Sequence, residues 1–242
     1  MVMAALGRQV IAIDGPASSG KSTTAREVAS RLRWPYFDSG AFYRVAALLA
    51  LRHDCLLERA GDRAGLRELL GRADIEQRMV GGGLHTRLDG EDVTHEIRSH
   101  AVTRVVSEVA SDPALREIVN AGLRARVGNG PAVVDGRDIG TAVFPDAFLK
   151  IYLEASLTER ARRRALEAEG PERAVDPAVV ASYEQSLAGR DHADRERSTA
   201  PLAVAPDAFR LDTTNLDAET QVARVLAMAA RSLDSPSGKR VT

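Results

Sequence analysis

Short apolar runs alternate along this chain with longer segments in which apolar residues recur every three or four positions. The runs at 10–13, 36–37, 132–134, 148–153 and 209–211 predict five buried strands. Helical spacing predicts helices over about 22–33, 41–53, 66–72, 100–110, 114–127, 176–187 and 217–233, with another beginning at Ser156, where Ser156 and Glu159 form a capping box. Strands that alternate with helices predict an α/β fold with three layers, in which helices cover a five-stranded parallel sheet.

Residues 65–98 follow a different pattern. After a short helix, polar and apolar residues alternate, and turn residues occur at Gly81–Gly83 and at Asp89 and Gly90. This pattern predicts a small antiparallel sheet inserted into the main domain.

Three polar motifs begin where a predicted strand ends: DGPASSGKS, DSGAFYR and DGRDIG. In parallel α/β sheets, ligands bind at the carboxyl ends of the strands. We therefore expect the three motifs to meet at one edge of the sheet.

The first motif fits the phosphate-loop pattern GxxxxGK[ST]. In such a loop the backbone N–H groups and the helix N-terminus surround a β-phosphate. Lys21 would reach the β- and γ-oxygens, and the Ser22 hydroxyl would ligate Mg²⁺. The alternative, a chance Gly/Ser turn, is disfavoured by the strand before the loop and the helix after it. The predicted nucleotide-binding residues are Gly15, Pro16, Ala17, Ser18, Ser19, Gly20, Lys21, Ser22 and Thr23.

Among phosphate-loop proteins, a GTPase is disfavoured because no Asn is followed by Lys, as the base-reading N-K-x-D would require. A motor or transporter ATPase is disfavoured because no signature of such a family is found, which leaves small-molecule kinases. A kinase of this kind must bring two anions together with cations and exclude water. The Arg-rich stretch 156–200 suits a lid, although solvated ion pairs are the favoured interpretation for Arg162, Arg163 and Arg173.

Composition narrows the remaining classes. A chain of 242 residues with 44% hydrophobic residues is enough for one α/β domain with inserted pieces. The net charge of −1 argues against nucleic-acid binding, and no apolar run approaches a membrane span. The single cysteine, Cys55, is consistent with a reducing cytosol, and the opening residues do not resemble a signal peptide. Residues 234–242 are polar and predict a disordered tail.

Taken together, the motifs IDGPASSGKSTTA, DSGAFYR, GEDVTHEIR, VVDGRDIGTAVFPDA and RDHADRERSTAPL resemble the bacterial cytidylate kinase family in order and spacing. The resemblance extends over about residues 10–233. It implies a cytoplasmic, monomeric enzyme that uses ATP and Mg²⁺ to phosphorylate CMP or dCMP. It also implies that residues 65–98 form an acceptor-side subdomain that closes over the monophosphate.

The resemblance also implies residue roles. Lys21, Arg137 and Arg197 would be the catalytic cations, and the acceptor phosphate would be held by Ser39, Arg44, Arg137 and Arg197. Ser107, Arg116 and Asp138 would bind cytosine, and Arg190 and Asp194 would bind the sugar. A carboxylate accepts from the cytosine amino group and Arg donates to its acceptors, whereas uracil reverses this pattern and would be rejected.

Several points stay open at this stage. Asp135 fits either a place beside Mg²⁺-bound water or a structural role, and His192 and Ala193 stand where the family often carries charged residues. The scattered histidines are interpreted as surface or capping residues, because an anionic acceptor oxygen needs no general base. The alternatives are a kinase for another monophosphate or metabolite, and a non-catalytic nucleotide-binding protein.

Overall fold

The computed structural model describes residues 9–55, 59–197 and 199–233. The predicted tail, 234–242, and the opening residues 1–8 lie outside the described residues. The chain divides into two compact units: Met1–Pro35 with Gly130–Thr242, and Tyr36–Asn129. Within the described residues, no helix combines the length and apolar character required to cross a lipid bilayer.

In chain order, the elements are β1 (Val10–Asp14), α1 (Lys21–Leu32), β2 (Tyr36–Asp38), α2 (Ser39–Arg52), α3 (Ala60–Arg72), β3 (Ile75–Val80), β4 (Gly83–Leu88), β5 (Glu91–Asp92), α4 (His100–Ser111), α5 (Pro113–Val127), β6 (Ala132–Gly136), β7 (Leu149–Glu154), α6 (Leu157–Glu169), α7 (Pro177–Glu196), β8 (Phe209–Asp212) and α8 (Ala218–Leu233). Short 3-10 turns lie at Glu96–Arg98 and Arg173–Val175, and one turn of π-helix lies at Ile139–Val143.

The main sheet has five strands in the order β2-β6-β1-β7-β8. Strand β1 pairs in parallel with β6 and β7, and β7 pairs in parallel with β8. The predicted α/β fold with a five-stranded parallel sheet is therefore confirmed. All five residues of β1 are buried because the strand is central, which accounts for its continuous apolar run.

The second unit contains the predicted small sheet. Strands β3, β4 and β5 are antiparallel, and the turns between them fall at Gly81 and Gly82 and at Asp89 and Gly90, as the turn residues predict. Helix α3 begins at Ala60, whereas the sequence predicts a start near residue 66. Gly61 and Gly65 lower the helix propensity of this segment, so the sequence does not indicate the first turns of the helix.

Two further boundaries differ from prediction. Helix α7 continues to Glu196 rather than ending at Leu187, because Leu187 and Asp191 are both buried along one face across the expected end. Only half of the predicted capping box forms: Ser156 Oγ accepts from the Glu159 N–H at 3.2 Å. The Ser156 N–H donates instead to Thr214 Oγ1 at 3.0 Å, and the Glu159 carboxylate accepts from Arg162 and Arg163.

Candidate active site

The loop after β1 is shaped by its close approach to β7. A Cβ added at Gly15 would lie 2.0 Å from the Leu153 carbonyl oxygen, so only glycine fits at this position. Helix α1 begins at Lys21, directly after Gly20. The N-terminal N–H groups and the dipole of α1 therefore lie next to the loop, as an anion-binding loop requires.

The loop is supported from behind by late segments of the chain. Thr213 Oγ1 donates to the Ser19 carbonyl at 3.1 Å, and Thr24 Oγ1 donates to Gln221 Oε1 at 3.0 Å. Arg160 Nη1 donates to the Ala17 carbonyl at 3.2 Å. The first and third of these bonds hold loop carbonyls, and the second ties the first turn of α1 to α8.

Lys21 lies buried within the loop, where its ammonium donates to the Pro16 carbonyl at 2.5 Å. Burial lowers the pKa of this ammonium well below its usual range, and the guanidinium of Arg137 lowers it further. Asp135 opposes the shift, Arg190 adds to it, and Asp14 opposes it more weakly. Two arginines and two aspartates of the first unit therefore act on this buried ammonium, and a bound anion would favour its charged form.

Ser22 and Asp135 are hydrogen-bonded across the ends of α1 and β6. Ser22 Oγ donates to Asp135 Oδ2 at 2.8 Å, and Asp135 is buried. Asp135 lies at this edge because β6 pairs with β1 in the register that puts Asp135 opposite Ile13. A hydroxyl and a carboxylate oxygen thus lie side by side next to the phosphate loop.

Asp194 links two of the predicted arginines. Arg137 Nε donates to Asp194 Oδ2 at 3.0 Å, and Arg197 Nη1 lies 3.9 Å from Asp194 Oδ1. Arg197 also donates to the carbonyls of Thr199, at 2.9 Å, and Ala200. The structure therefore brings together Arg137, Asp194 and Arg197 at the carboxyl end of α7.

The last turns of α7 also contain Arg190 and His192, both exposed. His192 Nε2 lies 3.0 Å from a Glu196 carboxylate oxygen one turn later, so its contact lies within the helix. Among the arginines expected to form solvated ion pairs, Arg162 pairs with Glu159 and Arg173 with Glu169. Arg163 is more enclosed, because it also donates to the Thr213 carbonyl at 2.5 Å.

Asp138 is buried and comes immediately before the turn of π-helix. The side chain beneath this turn is that of Asp14, whose two carboxylate oxygens accept from the N–H groups of Ile139, at 2.8 Å, and Gly140, at 2.7 Å. Burial raises the pKa of Asp14 from 3.8 to about 6, although these two bonds oppose the shift.

The second unit holds four predicted residues on three helices. Ser39 is buried in the first turn of α2, which Asp38 caps by accepting from the Ala41 N–H at 3.2 Å. Arg44, one turn further along, donates to the Ile97 carbonyl at 3.1 Å and to Thr103 Oγ1 at 3.0 Å. Arg44 is therefore enclosed by neighbouring elements and does not simply lie on a helix surface.

Arg116 is buried in α5, where its guanidinium lies 5.1 Å from the centre of the Tyr43 ring and donates to the Ala110 carbonyl at 3.1 Å. Tyr43 is fixed in turn by donating to Asn120 Oδ1 at 3.0 Å. Ser107 is exposed on α4. The cation–π contact holds the Arg116 fork in one orientation, as recognition of a planar base requires.

Sequence reasoning did not single out four residues that contact or neighbour the predicted ones: Asp14, Arg160 and Asp191 in the first unit, and Tyr43 in the second. Asp14 and Tyr43 lie inside motifs quoted above, so their position beside predicted ligand residues was the available signal. Arg160 and Asp191 carry no local signal, because their pairing joins two helices that are separated in the sequence.

Comparison with known proteins gives a consistent result. The family described as cytidylate kinase matches residues 11–231. The chain is 46% identical over 221 residues to the cytidylate kinase of Geobacillus thermodenitrificans (strain NG80-2), with 90% of this chain and 95% of that protein covered. It is 45% identical to the cytidylate kinase of Geobacillus sp. (strain WCH70), with 89% of this chain and 94% of that protein covered. It is also 45% identical to the cytidylate kinase of Symbiobacterium thermophilum, with 92% and 96% covered.

Proposed function

This chain belongs to the cytidylate kinase family, and we propose that it transfers the γ-phosphate of ATP to CMP or dCMP, giving CDP or dCDP and ADP. The observation that carries this proposal is the family match over residues 11–231, which includes the phosphate loop and the Arg-rich end of α7. The burial of Lys21 in the loop between β1 and α1, near enough to Arg137 and Arg190 for both to lower its pKa, supports it.

The donor triphosphate is bound by the loop between β1 and α1. Backbone N–H groups of residues 15–23 and the N-terminus of α1 hold the β-phosphate. Lys21 moves its ammonium from the Pro16 carbonyl to the phosphate oxygens, where the negative charge restores its pKa. Burial is the main cause of the lowered pKa in the present arrangement, so a bound anion would favour the charged ammonium.

The residues present fit a Mg²⁺ ion. Ser22 Oγ and Asp135 Oδ2 lie 2.8 Å apart, and hydroxyl and carboxylate oxygens are the protein ligands that Mg²⁺ prefers. Proteins usually bind Mg²⁺ through one or two side chains together with substrate phosphates and water. In keeping with this, the described residues contain no cluster of three His, Cys, Asp or Glu side chains that could hold a metal ion on their own. We propose that Ser22 ligates Mg²⁺ and that Asp135 binds its water shell; when bound, the ion neutralises phosphate charge.

The acceptor phosphate is held by guanidinium groups. Arg137 and Arg197 lie against the two oxygens of Asp194, and this shared counterion orders both guanidinium groups before the substrate binds. Ser39 and Arg44 of the second unit complete the proposed set. No general base is needed, because the attacking phosphate oxygen is already anionic, so orientation and charge neutralisation provide the catalysis.

Base and sugar are selected by the remaining side chains. Asp138 accepts from the cytosine amino group, Arg116 donates to the ring acceptors, and Ser107 adds a polar contact. Arg190 and Asp194 contact the sugar. Uracil presents an oxygen to Asp138 and an N–H to Arg116, and mismatches of buried polar groups are strongly disfavoured.

We also propose that residues 65–98 form the acceptor-side subdomain and residues 156–200 the lid. The enzyme acts in the cytoplasm as a monomer, in keeping with its single cysteine and its family. Proteolysis of segment 156–200 should slow in the presence of CMP and a non-hydrolysable ATP analogue, and size-exclusion chromatography should give the mass of one chain.

The deciding assay measures ADP release with CMP, dCMP, UMP, AMP and shikimate side by side. CMP and dCMP should give the highest kcat/KM, and Lys21→Met should abolish turnover, whereas Arg162→Ala, which removes an exposed ion pair, should not. Equal or greater use of UMP or AMP would contradict the cytosine pocket. Tight ATP binding without turnover of any acceptor would identify a non-catalytic nucleotide-binding protein.

A further inference from the structure

The turn of π-helix at Ile139–Val143 begins directly after Arg137 and Asp138. The Val143 N–H donates to the Asp138 carbonyl at 3.1 Å, and the Phe144 N–H donates to the Ile139 carbonyl at 2.7 Å. Such turns are rare and are often found at functional sites. Like any helix, the turn leaves its first N–H groups without an acceptor of its own.

The acceptors come from a distant part of the chain. Asp14 lies 125 positions before Ile139 in the sequence. Its two carboxylate oxygens accept hydrogen bonds from the N–H groups of Ile139, at 2.8 Å, and Gly140, at 2.7 Å. Asp138 occupies the position from which a carboxylate normally caps a helix. Its side chain makes no capping bond. Asp14, and not Asp138, therefore caps this turn.

We propose that Asp14 is a positioning residue for the acceptor nucleotide: by capping this turn it lets the Asp138 carboxylate face the cytosine, and it fixes the backbone from which Arg137 extends. This inference rests on the proposed roles of Arg137 and Asp138. Asp14 itself contacts no substrate in this scheme, because it acts through the turn.

Three observations support a positioning role. Both oxygens of Asp14 are used, so an amide, which has only one acceptor, cannot replace the carboxylate without leaving an N–H unpaired. The fit is close, since a Cβ added at Gly140 would lie 3.3 Å from Asp14 Oδ2 and 3.1 Å from Lys150 Cδ. Finally, a buried carboxylate is a poor choice for stability alone, as its raised pKa shows.

The test compares Asp14→Asn with Asp207→Asn. Asp207 is a matched control because its carboxylate is partly buried and accepts from the Lys150 ammonium at 3.0 Å, whereas the Asp14 carboxylate accepts from the N–H groups of the turn. For both variants and the wild type, kcat and KM are measured with CMP, with UMP and with ATP, and thermal unfolding confirms that each protein is folded. In the same samples, calorimetric titration gives the Kd for CMP.

Asp14→Asn should lower kcat/KM for CMP by about tenfold or more, as loss of a hydrogen bond to a charged group does. Because the Asp138 carboxylate then competes as the cap, the ratio of kcat/KM for CMP to that for UMP should fall by a similar factor. The KM for ATP should stay within about twofold of the wild-type value, which a general loss of structure would not permit. Asp207→Asn should leave the CMP-to-UMP ratio unchanged.

The positioning role is refuted if folded Asp14→Asn keeps the wild-type ratio, or if Asp207→Asn lowers it equally. If Asp14→Asn does not fold, Asp14→Glu keeps the charge but moves both oxygens away from the N–H groups of Ile139 and Gly140, and an unchanged ratio in that variant also refutes the role. Failure of the proposed function is a separate result, because it would be seen in the wild-type protein as absence of CMP turnover.

Discussion

Asp191→Ala is expected to be one of the most destabilising single substitutions in the first unit. Arg160 Nη2 donates to Asp191 Oδ2 at 2.7 Å, and each side chain is only 5% exposed. Arg160 extends from the first turn of α6, and Asp191 lies in the part of α7 that also contains Arg190, Asp194 and Arg197. The pair therefore fastens α7 to α6, and Arg160 fastens both to the phosphate loop through the Ala17 carbonyl.

The size of the effect follows from what remains after the substitution. Removing one partner of a buried ion pair leaves an uncompensated charge, which costs about 3–5 kcal/mol. Arg160 would keep the carbonyls of Ala155, at 3.1 Å, and Ala17, at 3.2 Å, so the lower end of this range applies. For a protein of this size, about 3 kcal/mol corresponds to a decrease in Tm of about 6–12 °C.

The assay is urea unfolding followed by circular dichroism, with Glu167→Ala as the control. Glu167 pairs with Arg164 on the exposed face of α6, with side chains 70% and 47% exposed, so its loss should cost less than about 1 kcal/mol. The double variant Arg160→Met with Asp191→Leu should recover part of the loss, because apolar residues of similar volume replace buried pairs well, whereas the carbonyls of Ala155 and Ala17 lose their donor.

The reasoning would be refuted if Asp191→Ala lost no more stability than Glu167→Ala. It would also fail if the double variant were less stable than Asp191→Ala alone. One Asp191 oxygen, Oδ1, is buried without a hydrogen-bond partner among the described residues, which limits the net contribution of the pair and favours recovery in the double variant.

Three further outcomes are expected. Arg197→Ala should lower kcat by about a hundredfold or more while changing Tm by only a few degrees, with Arg162→Ala as the matched control. A large decrease in Tm together with the loss of activity would assign Arg197 to structure. Asp138→Ala should reduce the preference for CMP over UMP, measured as the ratio of kcat/KM values, and an unchanged ratio would contradict its role in the base pocket. Burial raises the pKa of Asp14 to about 6, Asp138 contributes to the increase, and Lys21 opposes it. Between pH 3.8, the unfolded pKa, and about pH 6, the folded protein therefore binds a proton that the unfolded protein does not. The free energy of unfolding of the wild type relative to Asp14→Asn should therefore increase by about 1 kcal/mol between pH 7 and pH 5, measured by urea titration, and a decrease would contradict the assignment.

The fold could be predicted well because its signals are local. The continuous apolar run of β1 follows from burial on both faces, and the hairpin turn at Asp89 and Gly90 follows from residue type. The prediction failed where tertiary contacts override propensity. Helix α7 passes through Gly189 because Asp191, beyond it, is held by Arg160, and no local pattern contains that information.

The candidate site could be predicted only as far as motifs and the family resemblance name its residues. The pairing of Ser22 with Asp135 follows in principle from strand register, since both lie at the carboxyl edge of the sheet. The capping of Ile139 and Gly140 by Asp14 depends on a contact across 125 or more positions and on an unusual turn. Such a contact becomes visible only in the three-dimensional structure.

The bonds that support the phosphate loop also bear on how the protein is made. Ser19 and Thr24 are synthesised well before their partners, Thr213 and Gln221, which follow 194 and 197 positions later. Contacts this distant in sequence form slowly, because closing so long a loop costs conformational entropy. During translation the nucleotide-binding loop therefore lacks these bonds until Gln221 has left the ribosome, so shorter nascent fragments should not capture ATP.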